Sequence, residues 1–226
     1  VSHASDAAQL AIIEASAAPV VASHHGLRQF PNHTRTLSDA VLTAMAAKGG
    51  LIGIHSQADY LSQESLDWVI ARTRSSAPEL DWLQDLIRSP SRDYGQYIET
   101  LDTEMRENWI RDKGHSLVGY NFGVPWRELQ QETLDAGGPL PTEDDWVEIA
   151  DYVVNLVGED YIGIGLDMMD GCCNMRGFDA TSYPRLTEAL VDRGYAPERI
   201  QKILGENWLR VLDAAKVSGE TTLTRR

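Results

Sequence analysis

Cysteine is almost missing from this chain: two residues in 226, Cys172 and Cys173, side by side. A bridge between sequence neighbours strains the intervening peptide beyond ordinary disulfide geometry, which excludes a disulfide scaffold. A vicinal pair also lacks the gap of two to four residues usual between zinc thiolates, so the two read as loop residues lining a pocket. Basic charge is scarce as well. Twenty Lys and Arg stand against 34 Asp and Glu, for a net charge of −14, and no basic patch interrupts the acidic balance. Phosphate backbones and anionic lipid surfaces are repelled by such a molecule, so neither nucleic acid nor a charged membrane is an expected partner. Long apolar runs are missing too. The longest uncharged one, residues 15–22, falls far short of the ~20 residues of a membrane-spanning helix, and no basic-then-apolar leader opens the chain. The expectation is a soluble, cytoplasmic-type protein with neither repeat nor low-complexity tract.

What is present is ordinary globular composition, 42% hydrophobic and 24% charged, enough to bury a substantial core. Residues 5–17 open with Ser and Asp and space Leu10, Ile13 and Ala17 as a capped helix. The apolar run 18–23 (APVVAS) reads as a buried strand, 37–48 as a helix stopped by Gly49-Gly50, and 51–55 (LIGIH) as a second buried strand. A helix beginning at Thr142, with Asp145 completing a capping box, precedes a third strand at 161–167 (YIGIGLD). Two helices follow, 183–193 and 196–215, with Pro197 in the first turn of the second. Helices alternating with short, continuously apolar strands predict an α/β protein built on a parallel sheet.

Residues 56–141 carry no clear strand but many aromatics, Trp68, Trp82, Tyr94, Tyr97, Trp109, Tyr120, Phe122 and Trp126. That length exceeds a loop, so the segment reads as an insertion with helices near 64–74, 79–87 and 94–111 and a weaker strand at 115–122. Its aromatics form either a satellite core or a lid or subunit interface. The chain therefore divides into 1–55, the insertion 56–141, a closing part 142–217 and a frayed polar tail 218–226.

In parallel α/β folds, functional groups gather at the carboxyl ends of strands, where the following loops converge. His24 follows APVVAS, His55 ends LIGIH, and Asp167 ends YIGIGLD. His3 stands before the first helix, where a strand supplied by upstream sequence would end. Taken singly, each is more often a hydrogen-bonded structural residue; together they outline a ligand or reaction site. Carboxylate support is sparse, since Asp6 and Asp39 read as helix-capping and Asp170 shares the loop of Asp167. A full metal site cannot be assembled from these residues alone. Arg35, in the polar loop QFPNHTRTLSD, offers a planar fork for a carboxylate, against the plainer reading of a solvated charge or a partner for Asp39. His25 and His33 read as exposed or as supports for the groups in front of them.

The series SHASD (2–6), APVVASHH (18–25), RTLSD (35–39), GGLIGI (49–54), YIGIGLDMMDG (161–171) and ILGENWLRVL (203–212) resembles the carboxyl-terminal half of the membrane (renal) dipeptidase family, peptidase family M19. The resemblance covers both ends of the chain and leaves the middle unmatched. It implies one half of a metal-dependent, amidohydrolase-like (β/α)8 barrel of TIM type, strands five to eight, with the amino-terminal half supplied by the same or a separate chain. It implies two zinc ions per complete site, with His3 and His24 binding one of them. Arg35 would hold the terminal carboxylate of a dipeptide substrate, and Asp167 would serve both catalysis and substrate binding. Asn207 would be structural. This chain has one residue more than the family's G-G-D-F-D-G between Gly165 and Gly171. The family's early H-x-D metal pair, bridging glutamate and substrate-binding histidine have no counterpart here. The expected activity is dipeptide hydrolysis. Hydrolysis of lactones or N-acyl amino acids, a non-catalytic barrel serving as an interaction module, and a homodimer stay open.

Overall fold

The computed structural model describes residues 1–33, 35–76, 135–168 and 174–223. In chain order these form α1 (Asp6–Ala15), β1 (Val21–His25), α2 (Asp39–Ala47), β2 (Leu51–Ile54), α3 (Ala58–Leu61) and α4 (Gln63–Ser76). Then come α5 (Glu143–Val157), a 3-10 turn (Glu159–Tyr161), β3 (Ile162–Ile164), α6 (Tyr183–Asp192), α7 (Pro197–Gln201), a π turn (Lys202–Glu206) and α8 (Asn207–Leu223). Among the described residues the strands make one sheet in the order β1-β2-β3, parallel throughout, with Val21 opposite Leu51 and Ile52 opposite Ile162. The expected α/β alternation is therefore present. The helices expected at 79–87 and 94–111, the strand at 115–122, and Asp170, Cys172 and Cys173 lie outside the described residues.

Every residue of β2 is buried, as a central parallel strand covered on both faces requires. Val41, Leu42 and Met45 of α2, Trp146, Ile149 and Val153 of α5, and Leu186 and Leu190 of α6 share one core with Ala22, Ile52, Ile54 and Ile162 of the strands. Helix α5 starts where expected: the Thr142 N–H donates to the Asp145 carboxylate at 2.7 Å, satisfying one of the donors that a helix start leaves open.

Several boundaries differ from the sequence reading. Strand β1 begins at Val21 and runs through both histidines to His25. Ser16 bonds both the N–H and the carbonyl of Ala18, tying residues 16–18 into a turn, and Pro19 has no N–H for a ladder. Strand β3 covers only Ile162–Ile164, because Tyr161 belongs to the preceding 3-10 turn. The single helix expected at 196–215 is two helices joined by the π turn, and the second continues to Leu223, past the expected start of the tail. The buried Asn207 explains the widened turn: its Nδ2 donates to Glu159 O and Ile162 O, both at 2.8 Å. Just beyond, Trp208 Nε1 donates to Ile164 O at 3.1 Å. Arg210 donates to Gly49 O and Asp160 O, so α8 braces the amino-terminal ends of β2 and β3.

Glycine draws the opposite ends of the strands together. A Cβ on Gly53 or Gly165 would collide with the Ser23 carbonyl and with the other glycine's Cα. Removing both side chains lets the ends of β1, β2 and β3 converge more tightly than any larger residue permits.

Candidate active site

Four side chains meet where the strands converge. His3 lies in the turn before α1, and the Val1 nitrogen donates to Val21 O at 2.7 Å, which lays residues 1–3 against β1. His24 projects from β1, His55 follows β2, and Asp167 follows β3. His3 Nε2 and His24 Nε2 are 2.9 Å apart. Asp167 Oδ2 is 3.6 Å from His24 Nε2 and 3.6 Å from His55 Nε2. Among the described residues, His3 (φ 70°) and Asp167 (φ 47°) are the two non-glycine residues with left-handed backbone. Such strain of about 1–3 kcal/mol persists where surrounding structure imposes it, often at functional sites.

The second nitrogen of each ring sorts the histidines. His24 Nδ1 is 2.8 Å from Ser23 Oγ, which orients the ring and leaves Nε2 facing His3. His55 Nδ1 accepts the Gln57 N–H at 2.8 Å; in the neutral ring the proton then sits on Nε2, facing Asp167 as a donor. Burial, reinforced by Arg35 and His24, lowers the His3 pKa to about 4. Burial likewise lowers His24 and His55, against the pull of Asp167, while Asp167 is lowered chiefly by the facing His55. At neutral pH the site thus holds neutral imidazoles around one carboxylate. Its His–Asp contacts are dipolar rather than ion pairs.

Arg35 borders this cluster. Its Nη2 is 3.3 Å from His3 Nε2, its guanidinium carbon lies 5.6 Å from the centre of the Tyr60 ring, and its Nε and Nη1 are buried without a hydrogen-bond partner among the described residues. It does not pair with Asp39, which accepts from Tyr152 OH at 2.7 Å. Asp6 is not the cap of α1 either: Ser5 is, and Asp6 binds Arg28 through both carboxylate oxygens at 2.7 and 2.8 Å. Asp39 likewise lies inside α2, whose cap position is Ser38.

Of the two alternatives for His25 and His33, exposure is excluded, since both are buried. His25 Nδ1 is 2.9 Å from the Arg35 carbonyl, and the Arg35 N–H donates to His33 Nδ1 at 2.8 Å. Burial, with Arg35 adding to it, holds His25 well below the usual histidine value and His33 at about 3. The sequence reading also passed over Tyr60, whose ring packs against His33 and His55 at centroid distances of 4.9 and 5.0 Å. It passed over the buried Asp59 as well, a carboxyl raised to about 6 by burial. A charged residue at the start of a helix but flanked by Ala58, Tyr60 and Leu61 was the available signal.

Among the described residues no group of three or more His, Cys, Asp or Glu side chains is arranged to hold a metal ion, and no helix is long and apolar enough to cross a membrane. The pair His3 and His24 nevertheless fits two positions of such a site. Their Nε2 atoms face each other 2.9 Å apart, close enough that both could reach one ion. Both rings are neutral at neutral pH, the form that ligates.

A family model described as Membrane dipeptidase (Peptidase family M19) matches residues 1–225. An uncharacterized protein in the pqqA 5' region of Klebsiella pneumoniae is 34% identical over 110 residues, 49% of this chain and 39% of that protein. The dipeptidase tcpJ of Claviceps purpurea is 33% identical over 117 residues, 51% of this chain and 25% of that one. The structure of the probable dipeptidase PvdM from Pseudomonas aeruginosa aligns with a TM-score of 0.68 at 24% identity, covering 96% of this chain and 50% of that one. A metallo peptidase from Rhodobacter sphaeroides, crystallised with a phosphinate mimic of the dipeptide L-Ala-D-Ala, aligns with a TM-score of 0.56 at 20% identity over 94% of this chain and 41% of its own. The alignments with these solved structures show a shared fold. The chain matches less than half the length of each of these two curated relatives and half or less of each of these two solved chains.

Proposed function

The chain belongs to the membrane dipeptidase family, peptidase family M19, a family of metal-dependent hydrolases with a TIM-barrel-like mixed α/β fold, and from that premise we propose that it is the carboxyl-terminal half of a zinc-dependent dipeptidase barrel. The observation that carries this reading is the facing pair of His3 and His24 nitrogens, 2.9 Å apart, beside Asp167 at the carboxyl ends of three parallel strands. His3 and His24 would hold one zinc of a two-ion site, and the other ligands would come from the half of the barrel this chain does not span. When bound, zinc supplies Lewis acidity for the peptide carbonyl and lowers the pKa of water.

The chain's own residues have separable roles in this reading. Arg35 presents buried donors in a fixed fork, the geometry that grips a substrate's terminal carboxylate with two parallel hydrogen bonds. Asp167 stays ionised at neutral pH and acts on the other end of the dipeptide, orienting its amine and taking up or returning a proton as the tetrahedral intermediate collapses. His55, its proton on Nε2, holds the Asp167 carboxylate from behind and is not a metal ligand.

The test uses the complete protein. His3→Ala and His24→Ala should each lower zinc stoichiometry, and His55→Ala should not. Arg35→Met should leave zinc content intact while reducing turnover of free dipeptides far more than that of carboxyl-amidated ones, which offer no carboxylate to hold. Unchanged zinc in both histidine variants, or dipeptides left intact by a protein that cleaves lactones or N-acyl amino acids, would refute the proposal.

A further inference from the structure

We propose that His25 is a positioning residue for Arg35. Its imidazole fixes the backbone from which the guanidinium projects and so sets where the substrate's carboxylate is gripped. The inference rests on the reading of Arg35 given above and deepens it by identifying what holds that side chain in place.

The bonding around residues 35–37 carries the argument. A carbonyl oxygen only accepts, so the 2.9 Å contact between His25 Nδ1 and Arg35 O places the ring's proton on Nδ1. The other nitrogen, Nε2, is buried with no partner among the described residues. Arg35 O is therefore the group that orients this ring. On the other side of the residue, the Arg35 N–H donates to His33 Nδ1, so two buried imidazoles of opposite tautomer bracket Arg35. The next residues are fixed with equal care. Leu37 N donates to Gly26 O, Arg28 N donates to Leu37 O, and Arg28 Nη2 donates to Thr36 O at 2.8 Å. The loop is thus laid along the continuation of β1, and Arg28 ties it to Asp6 in the first turn of α1.

An irregularity in β1 lets adjacent histidines do different work. The β1–β2 register shifts between Ala22 and His25, and the two rings stack with centroids 6.2 Å apart while their nitrogens meet different partners. His24 faces His3 and Asp167, while His25 faces the passing loop. One strand consequently sets both the His24 ring and, through His25, the Arg35 backbone. A displaced guanidinium loses its two parallel hydrogen bonds to the substrate's carboxylate, a loss that falls on substrate binding.

The discriminating experiment compares His25→Leu, which fills the space without a donor, with His25→Asn, whose Nδ2–H donates from nearly the position of the imidazole Nδ1–H. His25→Gln, which donates from further out, is the third variant. In the complete protein, His25→Leu and His25→Gln should raise KM for free dipeptides at least tenfold with kcat changed less than about threefold. His25→Asn should restore most of the loss. A structural role alone would lower folded yield or kcat uniformly and would not produce this split, so uniform losses, or an Asn variant no better than Leu, overturn the proposal. Backbone amide exchange supplies a readout independent of activity. The Arg35 and Thr36 amides should exchange at least tenfold faster in the Leu variant than in wild type, and near the wild-type rate in the Asn variant. If the wild-type protein cleaves no dipeptide, the functional reading fails, and exchange alone decides for His25: unchanged rates in His25→Leu refute its hold on Arg35.

Discussion

Asp59→Asn should make the protein more stable at neutral pH, although it alters a residue beside the candidate site. Asp59 is buried at the start of α3; its Oδ1 has no hydrogen-bond partner among the described residues, and burial raises its pKa from 3.8 to about 6. A carboxyl raised on folding binds its proton more tightly in the native state. Its contribution is then fully present below the unfolded value of 3.8, falls as pH rises, and is lost above about 6. A shift of about two units, at 1.36 kcal/mol per unit, makes the ionised form roughly 3 kcal/mol less compatible with the fold at pH 7.5. At pH 5 the same linkage leaves roughly half of that penalty. Asparagine is the same size and never ionises, so it escapes the penalty, offset by ~1 kcal/mol for burying an amide with incomplete partners. The expected net gain is about 2 kcal/mol at pH 7.5, shrinking to about 0.5 kcal/mol at pH 5. Urea unfolding of both proteins at the two pH values measures it, and the difference cancels the titration of every other group. A stability difference independent of pH would show that Asp59 does not change its protonation between the folded and unfolded states.

Two further predictions concern the frame that carries the site. Gly165→Ala puts a methyl group against the Ser23 carbonyl and Gly53 Cα and should cost about 2–3 kcal/mol, read as a lowered urea midpoint. Asn207→Ala removes both donors to Glu159 O and Ile162 O. It should cost about 2 kcal/mol, with α8 losing amide-exchange protection before the sheet does; uniform protection would refute the coupling of α8 to β3.

Apolar continuity was enough to read β2, because a strand buried on both faces leaves an unbroken signature in LIGI. It misplaced β1, since the useful part of that strand is the polar pair His24 and His25 at its end, which hydropathy reads as loop. The rule that parallel strands carry their chemistry at their carboxyl ends located His24, His55 and Asp167 without any knowledge of distances. His3 followed from its place before α1. The burial of His33 was not legible, since it depends on Tyr60 arriving from α3, 27 positions later in the sequence. Nor was the partner of Asp6 legible: nothing local distinguishes a first-turn aspartate that faces water from one that Arg28 reaches across 22 residues.

The π turn at Lys202–Glu206 sets the rotational phase of everything after it. An α-helix advances about 100° per residue, so deleting one residue there would yield a more regular helix whose downstream side chains all face the wrong way. Asn207 would leave the carbonyls of Glu159 and Ile162, Trp208 would swing off Ile164, and Arg210 would lose Gly49. The extra residue in the turn works like a keyway: it tolerates changes of side chain more readily than changes of length. A single-residue deletion there should therefore do more damage than most substitutions anywhere along α7 or α8.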